Sequence, residues 1–143
     1  MTQMAGPALS GGRETGRVTD VTAVKGAPFQ SAELDDMIAR ARATPDSYAA
    51  KVLGSDLLSV GLYIVPAGGT DDQTPHGEDE VYYAVRGRAK IRVEQDDHPV
   101  QPGTVLFVPA RAVHYFHDIS EELILVVFWA PPEKSVSQPS DKQ

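Results

Sequence analysis

Residues 68–87 read GGTDDQTPHGEDEVYYAVRG, and they carry the strongest structural signal in the sequence. A polar segment containing Gly and Pro changes into an apolar run at Glu80, which is the pattern of a turn leading into a β-strand. His76 and Glu80 are four residues apart, so they share a face if the link between them keeps strand register. The stretch therefore predicts a strand that directs an imidazole and a carboxylate into one pocket.

A second stretch, residues 103–118, reads GTVLFVPARAVHYFHD and places His114 just after a proline-led turn. Together with His76 and Glu80 it offers two imidazole nitrogens and one carboxylate. This set suits Fe, Mn, Ni or Zn as a divalent ion, and it leaves coordination positions open for water or substrate, as catalytic sites do. We therefore expect one divalent metal ion per chain, held by these three residues.

The two stretches resemble the two sequence motifs of the cupin family, G-x5-H-x-H-x3-E-x6-G and G-x5-P-x-G-x2-H-x3-N. The matching positions are Gly68, His76, Glu80 and Gly87 in the first motif, and Gly103, Pro109 and His114 in the second. The resemblance implies an all-β fold, the cupin double-stranded β-helix or jelly-roll barrel, in a single-domain form. It also implies that the metal site lies inside the barrel, with His76, Glu80 and His114 as ligands.

The sequence departs from the first motif at Thr74, which stands where the family has its first histidine. A threonine hydroxyl is a weak neutral ligand and is better suited to holding a metal-bound water. The neighbouring Gln73 offers an amide oxygen instead. A fourth ligand from Thr74 or Gln73, a water molecule, and a metal-free polar cluster all stay open. Arg111 and Asp118 replace the glycine and asparagine of the second motif, and both replacements concern a turn.

The remainder of the chain fits one barrel preceded by one N-terminal helix. The helix is predicted at residues 31–43, with Ser31 as its cap, an apolar stripe on one face, and Pro45 as its stop. Residues 17–132 form the predicted domain, with the barrel at 48–129. Residues 1–16 and 133–143 are predicted to be flexible tails, because they are polar and lack an apolar period.

Period-two patterns predict the strands of this barrel. They fall at residues 48–53, 57–65, 80–86, 89–94, 104–108, 113–118 and 123–129, with turns at 87–88 and 95–98. Residues 123–129 read LILVVFW, so we expect this strand to be covered on both faces, by the helix or by a second subunit. A homodimer is therefore predicted.

Aromatic side chains are candidates for the lining of the pocket. Tyr82 and Phe116 share parity with Glu80 and His114, so they are predicted to line it beside Thr74, and Tyr63 and Trp129 are further candidates. Glu80 and Tyr82 are the candidate catalytic residues, since a pocket tyrosine can donate a proton or a hydrogen bond. The remaining histidines, His117 and His98, are expected to point away from the pocket and to lie at the surface, respectively.

Composition argues against several classes of function. The 143 residues carry 13 basic and 20 acidic side chains, a formal net charge of −7, and no cysteine. Phosphate contacts need clustered Lys and Arg, so we expect no nucleic-acid partner. Anionic membranes are excluded on the same ground. No apolar run reaches the length of a membrane helix and no signal peptide precedes the domain, so a cytoplasmic protein is expected.

These observations favour a metal-dependent enzyme that acts on a small organic molecule in the barrel pocket. Two histidines and one carboxylate form the set used by non-haem iron oxygenases, so a dioxygenase is preferred over an isomerase, lyase or cyclase. The alternative is a small-molecule binding or sensing protein without turnover. The fold by itself does not choose between them.

Overall fold

The computed structural model describes residues 26–134. Its elements are α1 (Leu34–Arg42), β1 (Tyr48–Gly54), β2 (Ser59–Val65), β3 (Asp79–Val93), β4 (Asp96–Val100), β5 (Val105–Val108) and β6 (His114–Ala130). The predicted N-terminal tail lies outside the described residues, as does the predicted C-terminal tail apart from its first two residues. The predicted all-β class with one helix is confirmed.

Every strand pair is antiparallel, and the strand order is β1-β2-β6-β3-β4, with β5 also paired to β3. The long strands β3 and β6 pair with each other along most of their lengths. On its other edge β3 pairs first with β5 and then with β4. The first half of β3 therefore lies between β5 and the end of β6, and the second half lies between β4 and the start of β6. The long strands β3 and β6 thus belong to both parts of the curved sheet, and these two parts enclose the core.

Four predicted strands merge into two in the structure. The predicted strands 80–86 and 89–94 are one strand, β3, and 113–118 and 123–129 are one strand, β6. The predicted turn at Gly87 is wrong, because Gly87 lies in an irregular stretch of β3 with a positive φ of 96° while the strand continues. A β-bulge uses the same residue type as a turn, which explains the misreading.

The predicted turn at residues 95–98 is also wrong. The chain turns at Glu94 and Gln95, and β4 follows at once. Four of the five residues of β4 are exposed and only Val100 is buried, so this strand lacks the apolar alternation that marks strands in a sequence. His98 is exposed as expected, but it lies in β4.

Helix α1 begins later than predicted. Its N-cap is Glu33 in an extended conformation without a side-chain capping bond, so the proposed cap at Ser31 is wrong. The apolar stripe is confirmed, since Met37, Ile38 and Ala41 are buried. At nine residues α1 is short, and no helix within residues 26–134 is long and apolar enough to cross a membrane.

Two apolar clusters lie on opposite faces of β6. The inner cluster includes Leu123, Leu125, Val127 and Trp129, which alternate with residues of the outer cluster. In the outer cluster Ile124 packs with the buried face of α1. Of the two predicted covers for this strand, the helix is therefore the one observed. The predicted homodimer stays a prediction.

Candidate metal centre

Glu80 lies at the centre of a buried polar cluster on the inner face of β3. Its side chain is 2% exposed, and Oε1 accepts a hydrogen bond from Trp129 Nε1 at 2.6 Å and lies 2.6 Å from His76 Nε2. Oε2 lies 3.1 Å from His114 Nε2 and accepts a hydrogen bond from the Tyr82 hydroxyl. Four groups from three segments of the chain therefore hold this carboxylate in one orientation.

These contacts decide the charge of Glu80. Burial acts to raise the pKa of its carboxyl, but the bonds with His114, His76 and Tyr82 outweigh burial and lower the pKa to about 2. Glu80 is therefore a carboxylate at neutral pH, which is the form that binds a metal ion.

The two histidines both direct Nε2 toward Glu80. His114 Nδ1 donates to the backbone oxygen of Ala112 at 2.8 Å, which fixes the proton on Nδ1 and the orientation of the ring. His76 Nδ1 is buried and lies 3.2 Å from Glu78 Oε2, at an angle that forms no hydrogen bond. Burial acts to lower the pKa of His114, but the bonds to Glu80 and Ala112 outweigh burial and raise it. The bond to Glu80 also raises the pKa of His76.

The donor set fits a divalent ion. One nitrogen from His76, one from His114 and one oxygen from Glu80 lie within 4.8 Å of one another. The bond from His114 Nδ1 to a carbonyl leaves Nε2 as the metal-binding atom, which is the outer-shell arrangement of metal-bound histidines. A bound cation would replace the proton shared between each Nε2 and the carboxylate.

A cavity of about 770 Å³ adjoins this cluster. The residues of the predicted pocket that line it are Thr74, Tyr82, Tyr63 and Trp129, together with His76 and Glu80. Phe116 is not among the lining residues. It is 1% exposed in the core, with its ring centroid 5.1 Å from that of Tyr82, so it shares the face but lies deeper. His114 is likewise absent from the lining and adjoins the cavity through Glu80 and Tyr82.

Asp71 organises the loop that precedes His76, although no sequence pattern singles it out. Its Oδ1 accepts from the Tyr63 hydroxyl at 3.0 Å, and its Oδ2 accepts from Gln73 Nε2 at 2.7 Å and from the backbone N–H of Phe116 at 2.8 Å. An Asp-Asp pair in a loop resembles a solvated turn, and only the approach of β6 reveals its role. The loop is thereby tied to β2 and β6.

The two candidates for a fourth ligand differ in their surroundings. Gln73 Oε1 lies 3.1 Å from the Tyr82 hydroxyl while its amide nitrogen is bonded to Asp71, so the side chain is already held in place. Thr74 is exposed at the cavity. A fourth ligand from either residue stays a prediction.

The other histidines lie away from this cluster. His117 Nε2 lies 2.8 Å from Oδ1 of Asp97 in β4, and His98 is exposed. Within the described part of the chain, His76, Glu80 and His114 form the one group of three or more such side chains that could hold a metal ion.

Replacing Glu78 with glutamine is expected to lower the affinity for a divalent ion by about tenfold, because it removes a buried negative charge that lies 3.2 Å from His76 Nδ1. Glu78 is 2% exposed, so its charge is poorly screened by solvent. Competition with a fluorescent chelator measures the affinity. Glu121→Gln is the matched control, because this exposed carboxylate pairs with Arg88 instead. Equal affinities for the two variants would contradict the prediction.

Comparisons with known proteins identify the family to which the chain is similar. Residues 61–131 match the family model described as Cupin domain. An uncharacterized protein of Streptomyces coelicolor is 46% identical over 100 residues, which cover 70% of this chain and 94% of that protein.

Solved structures show the same fold. The Thermus thermophilus protein TT1209 is 30% identical with a TM-score of 0.58, over 72% of this chain and 98% of that one. A conserved protein with a double-stranded β-helix domain from Klebsiella pneumoniae is 15% identical with a TM-score of 0.61, over 74% of this chain and 93% of that one. The motifs, the antiparallel barrel and these matches agree, and the chain belongs to the cupin family.

Proposed function

We propose that this cupin binds one divalent metal ion through His76, Glu80 and His114 and acts as a metal-dependent enzyme on a small organic molecule. The observation that carries the proposal is the set of three ligand atoms within 4.8 Å of one another, beside a cavity of about 770 Å³. A cavity of this size suits a small-molecule ligand. Three protein ligands leave coordination positions open for water or substrate, as in catalytic metal sites.

The ion, when bound, supplies Lewis-acid or redox chemistry to a ligand in the cavity. Two histidines and one carboxylate form the set of non-haem iron oxygenases, so Fe(II) and a dioxygenase reaction are preferred over isomerase, lyase or cyclase chemistry with Mn, Ni or Zn. This preference concerns the metal and the reaction class. The three residues proposed to bind the metal are the same for every reaction.

The surrounding side chains orient Glu80 and exclude water from it. Trp129 Nε1 fixes Oε1, and the Tyr82 hydroxyl bonds to Oε2. Burial and the neighbouring Glu80 carboxylate raise the pKa of Tyr82 well above its usual value, so its hydroxyl keeps its proton. In this proposal Tyr82 is a hydrogen-bond donor at the edge of the cavity, and it does not act as a base.

Metal content tests the proposal directly. Protein purified without a metal-affinity tag is expected to contain about one divalent ion per chain by mass spectrometry, as one three-ligand site requires. His114→Ala is expected to lose this ion, whereas His98→Ala is expected to keep it, because His98 is exposed in β4. No metal in the wild-type protein, and none taken up on reconstitution, would refute the metal centre.

A binding or sensing protein without turnover is the second candidate. The observation in its favour is that protein side chains hold both oxygens of Glu80 in a connected polar cluster beside the cavity, which suits a site that binds a ligand without chemistry. Ligand-dependent stabilisation without consumption of oxygen or conversion of the ligand would support this candidate. Oxygen consumption that Glu80→Gln abolishes would support the oxygenase.

A further inference from the structure

The cavity beside the candidate metal centre is strongly acidic. Its lining includes one lysine, Lys134, and six carboxylates: Asp46, Asp71, Asp72, Glu78, Glu80 and Glu133. Lys134 and these carboxylates sum to five negative charges, or to four with a proton on His76, and a divalent ion in place of that proton would still leave three. A cleft lined by one sign of charge raises the local concentration of ligands of the opposite sign. The electrostatic potential of the cavity thus favours a cation and opposes an anion.

Little positive charge offsets these carboxylates. The Lys134 side chain is 82% exposed, and its ammonium lies 3.6 Å from Glu133 at the edge of the cavity. The Arg and Lys ion pairs of residues 26–134 involve other carboxylates than Asp46 and Asp72. Burial and then Asp71 raise the pKa of the Tyr63 hydroxyl, and the charges of Asp72 and Asp46 add to this increase. Both charges therefore act inside the cavity.

Three aromatic rings form another part of the same lining. The Tyr48 ring is at 88° to that of Tyr63 and at 87° to that of Trp129, with centroids 5.7 and 5.9 Å away, respectively. The polar atoms of two of these rings are already bonded, Tyr63 to Asp71 and Trp129 to Glu80. All three rings line the cavity wall, and groups of aromatic rings bind organic cations, quaternary ammonium ions above all.

We propose that the ligand of this cavity is a small organic cation, with its charged group among Tyr48, Tyr63 and Trp129 and its other end toward His76 and Glu80. This inference rests on the proposed function, since it names the substrate class of the same site. Aromatic rings alone would accept a neutral apolar ligand equally well, and carboxylates alone would accept an inorganic cation. The combination selects an organic cation.

Trp129 makes the inference directly measurable. It is the one tryptophan of the chain and it lines the cavity, so quenching of its fluorescence reports on binding there. The probes are choline with its neutral carbon analogue 3,3-dimethylbutan-1-ol, propylammonium with propan-1-ol, and malonate as an anion. Each of the two cations, choline and propylammonium, is expected to bind at least about tenfold more tightly than its neutral analogue. Malonate is expected to bind more weakly than both cations.

Two variants locate the preference in the cavity. Tyr48→Leu removes a ring and Asp72→Asn removes an exposed charge, and each is expected to weaken choline at least about fivefold without weakening the neutral analogue. Asp118→Asn is the matched control, because this exposed carboxylate pairs with Lys90 outside the cavity. Thermal unfolding confirms that each variant is folded, and Asp72→Asn tests the inference if Tyr48→Leu does not fold.

Neutral probes that bind as tightly as the cations, malonate that binds more tightly, or no binding of either cation would each overturn the inference.

The same titrations on metal-free His114→Ala separate the two proposals. A cation preference that persists in this variant supports the inference independently of the metal. Wild-type protein that contains no metal but prefers cations contradicts the metal centre alone. Wild-type protein that contains metal but shows no cation preference contradicts the inference alone.

Discussion

Gly87→Ala is expected to lower the free energy of unfolding by on the order of 4 kcal/mol, a large part of the stability of a domain of this size. Gly87 has a φ of 96°, which side chains rarely tolerate. A Cβ at this position would lie 2.2 Å from the backbone oxygen of Glu122 and 2.6 Å from Leu123 Cα. Both atoms belong to the backbone of β6, so they cannot rotate away. The long strands would have to separate where both pass between the two parts of the sheet.

Gly103→Ala provides the control for this prediction. Gly103 has a φ of 92°, but a Cβ there would meet nothing within 4 Å. We therefore expect it to cost only the backbone strain, about 1–2 kcal/mol. Denaturant unfolding followed by the fluorescence of Trp129 measures both variants, and their difference isolates the steric contact with β6. Equal midpoints for the two variants would mean that β6 moves aside without cost.

Gly87 also illustrates what the sequence could and could not predict. Its place in the first motif was identified correctly, and so were the alternating apolar positions on either side of it. The sequence did not reveal that β6 passes at contact distance, because a glycine in a turn and a glycine in a bulge have the same local signature. The difference depends on a partner strand that lies more than thirty residues along the chain.

The residues of the candidate metal centre could likewise be predicted only in part. The motifs predicted His76, Glu80 and His114, and the structure brings these side chains together. The donors that hold Glu80 in place were less accessible to sequence analysis. Trp129 lies directly opposite Glu80 in the pairing of β3 with β6, and this register depends on the irregular pairing around Gly87. Side-chain parity predicts which face a residue occupies, but it does not predict which residue lies opposite.

The sequence also did not reveal how deep each side chain lies within the barrel. Tyr82 and Phe116 have the parity of the proposed ligands, yet only Tyr82 lines the cavity and Phe116 packs behind it. Asp71 and Glu78 lie in a polar loop that resembles a solvated turn, although both are nearly buried. Their burial results from the way the loop folds back over the barrel, and no local pattern encodes that contact.

Glu80→Gln is expected to lower the affinity for a divalent ion by more than about 100-fold, beyond the usual cost of losing an outer-shell partner. The change removes the one anionic ligand of the set. It also places an amide N–H₂ group among Trp129 Nε1, the Tyr82 hydroxyl and the two histidines, where the carboxylate accepted hydrogen bonds. Titration with Fe(II) or Zn(II) against a chelator measures the loss, and Glu121→Gln controls for the change in net charge.

The same substitution separates the role of Glu80 in metal binding from its role in the fold. A buried donor left without an acceptor costs about 1–3 kcal/mol, so we expect the metal-free Glu80→Gln protein to be less stable than metal-free wild type by about that amount. Denaturant unfolding in the presence of a chelator measures this difference. If Glu80 served the fold alone, Glu80→Gln would lose stability while metal affinity stayed within a few-fold of wild type. A loss of both is the result that assigns Glu80 to the metal, because a variant that is still folded during the metal titration loses affinity through the missing ligand and not through its lower stability.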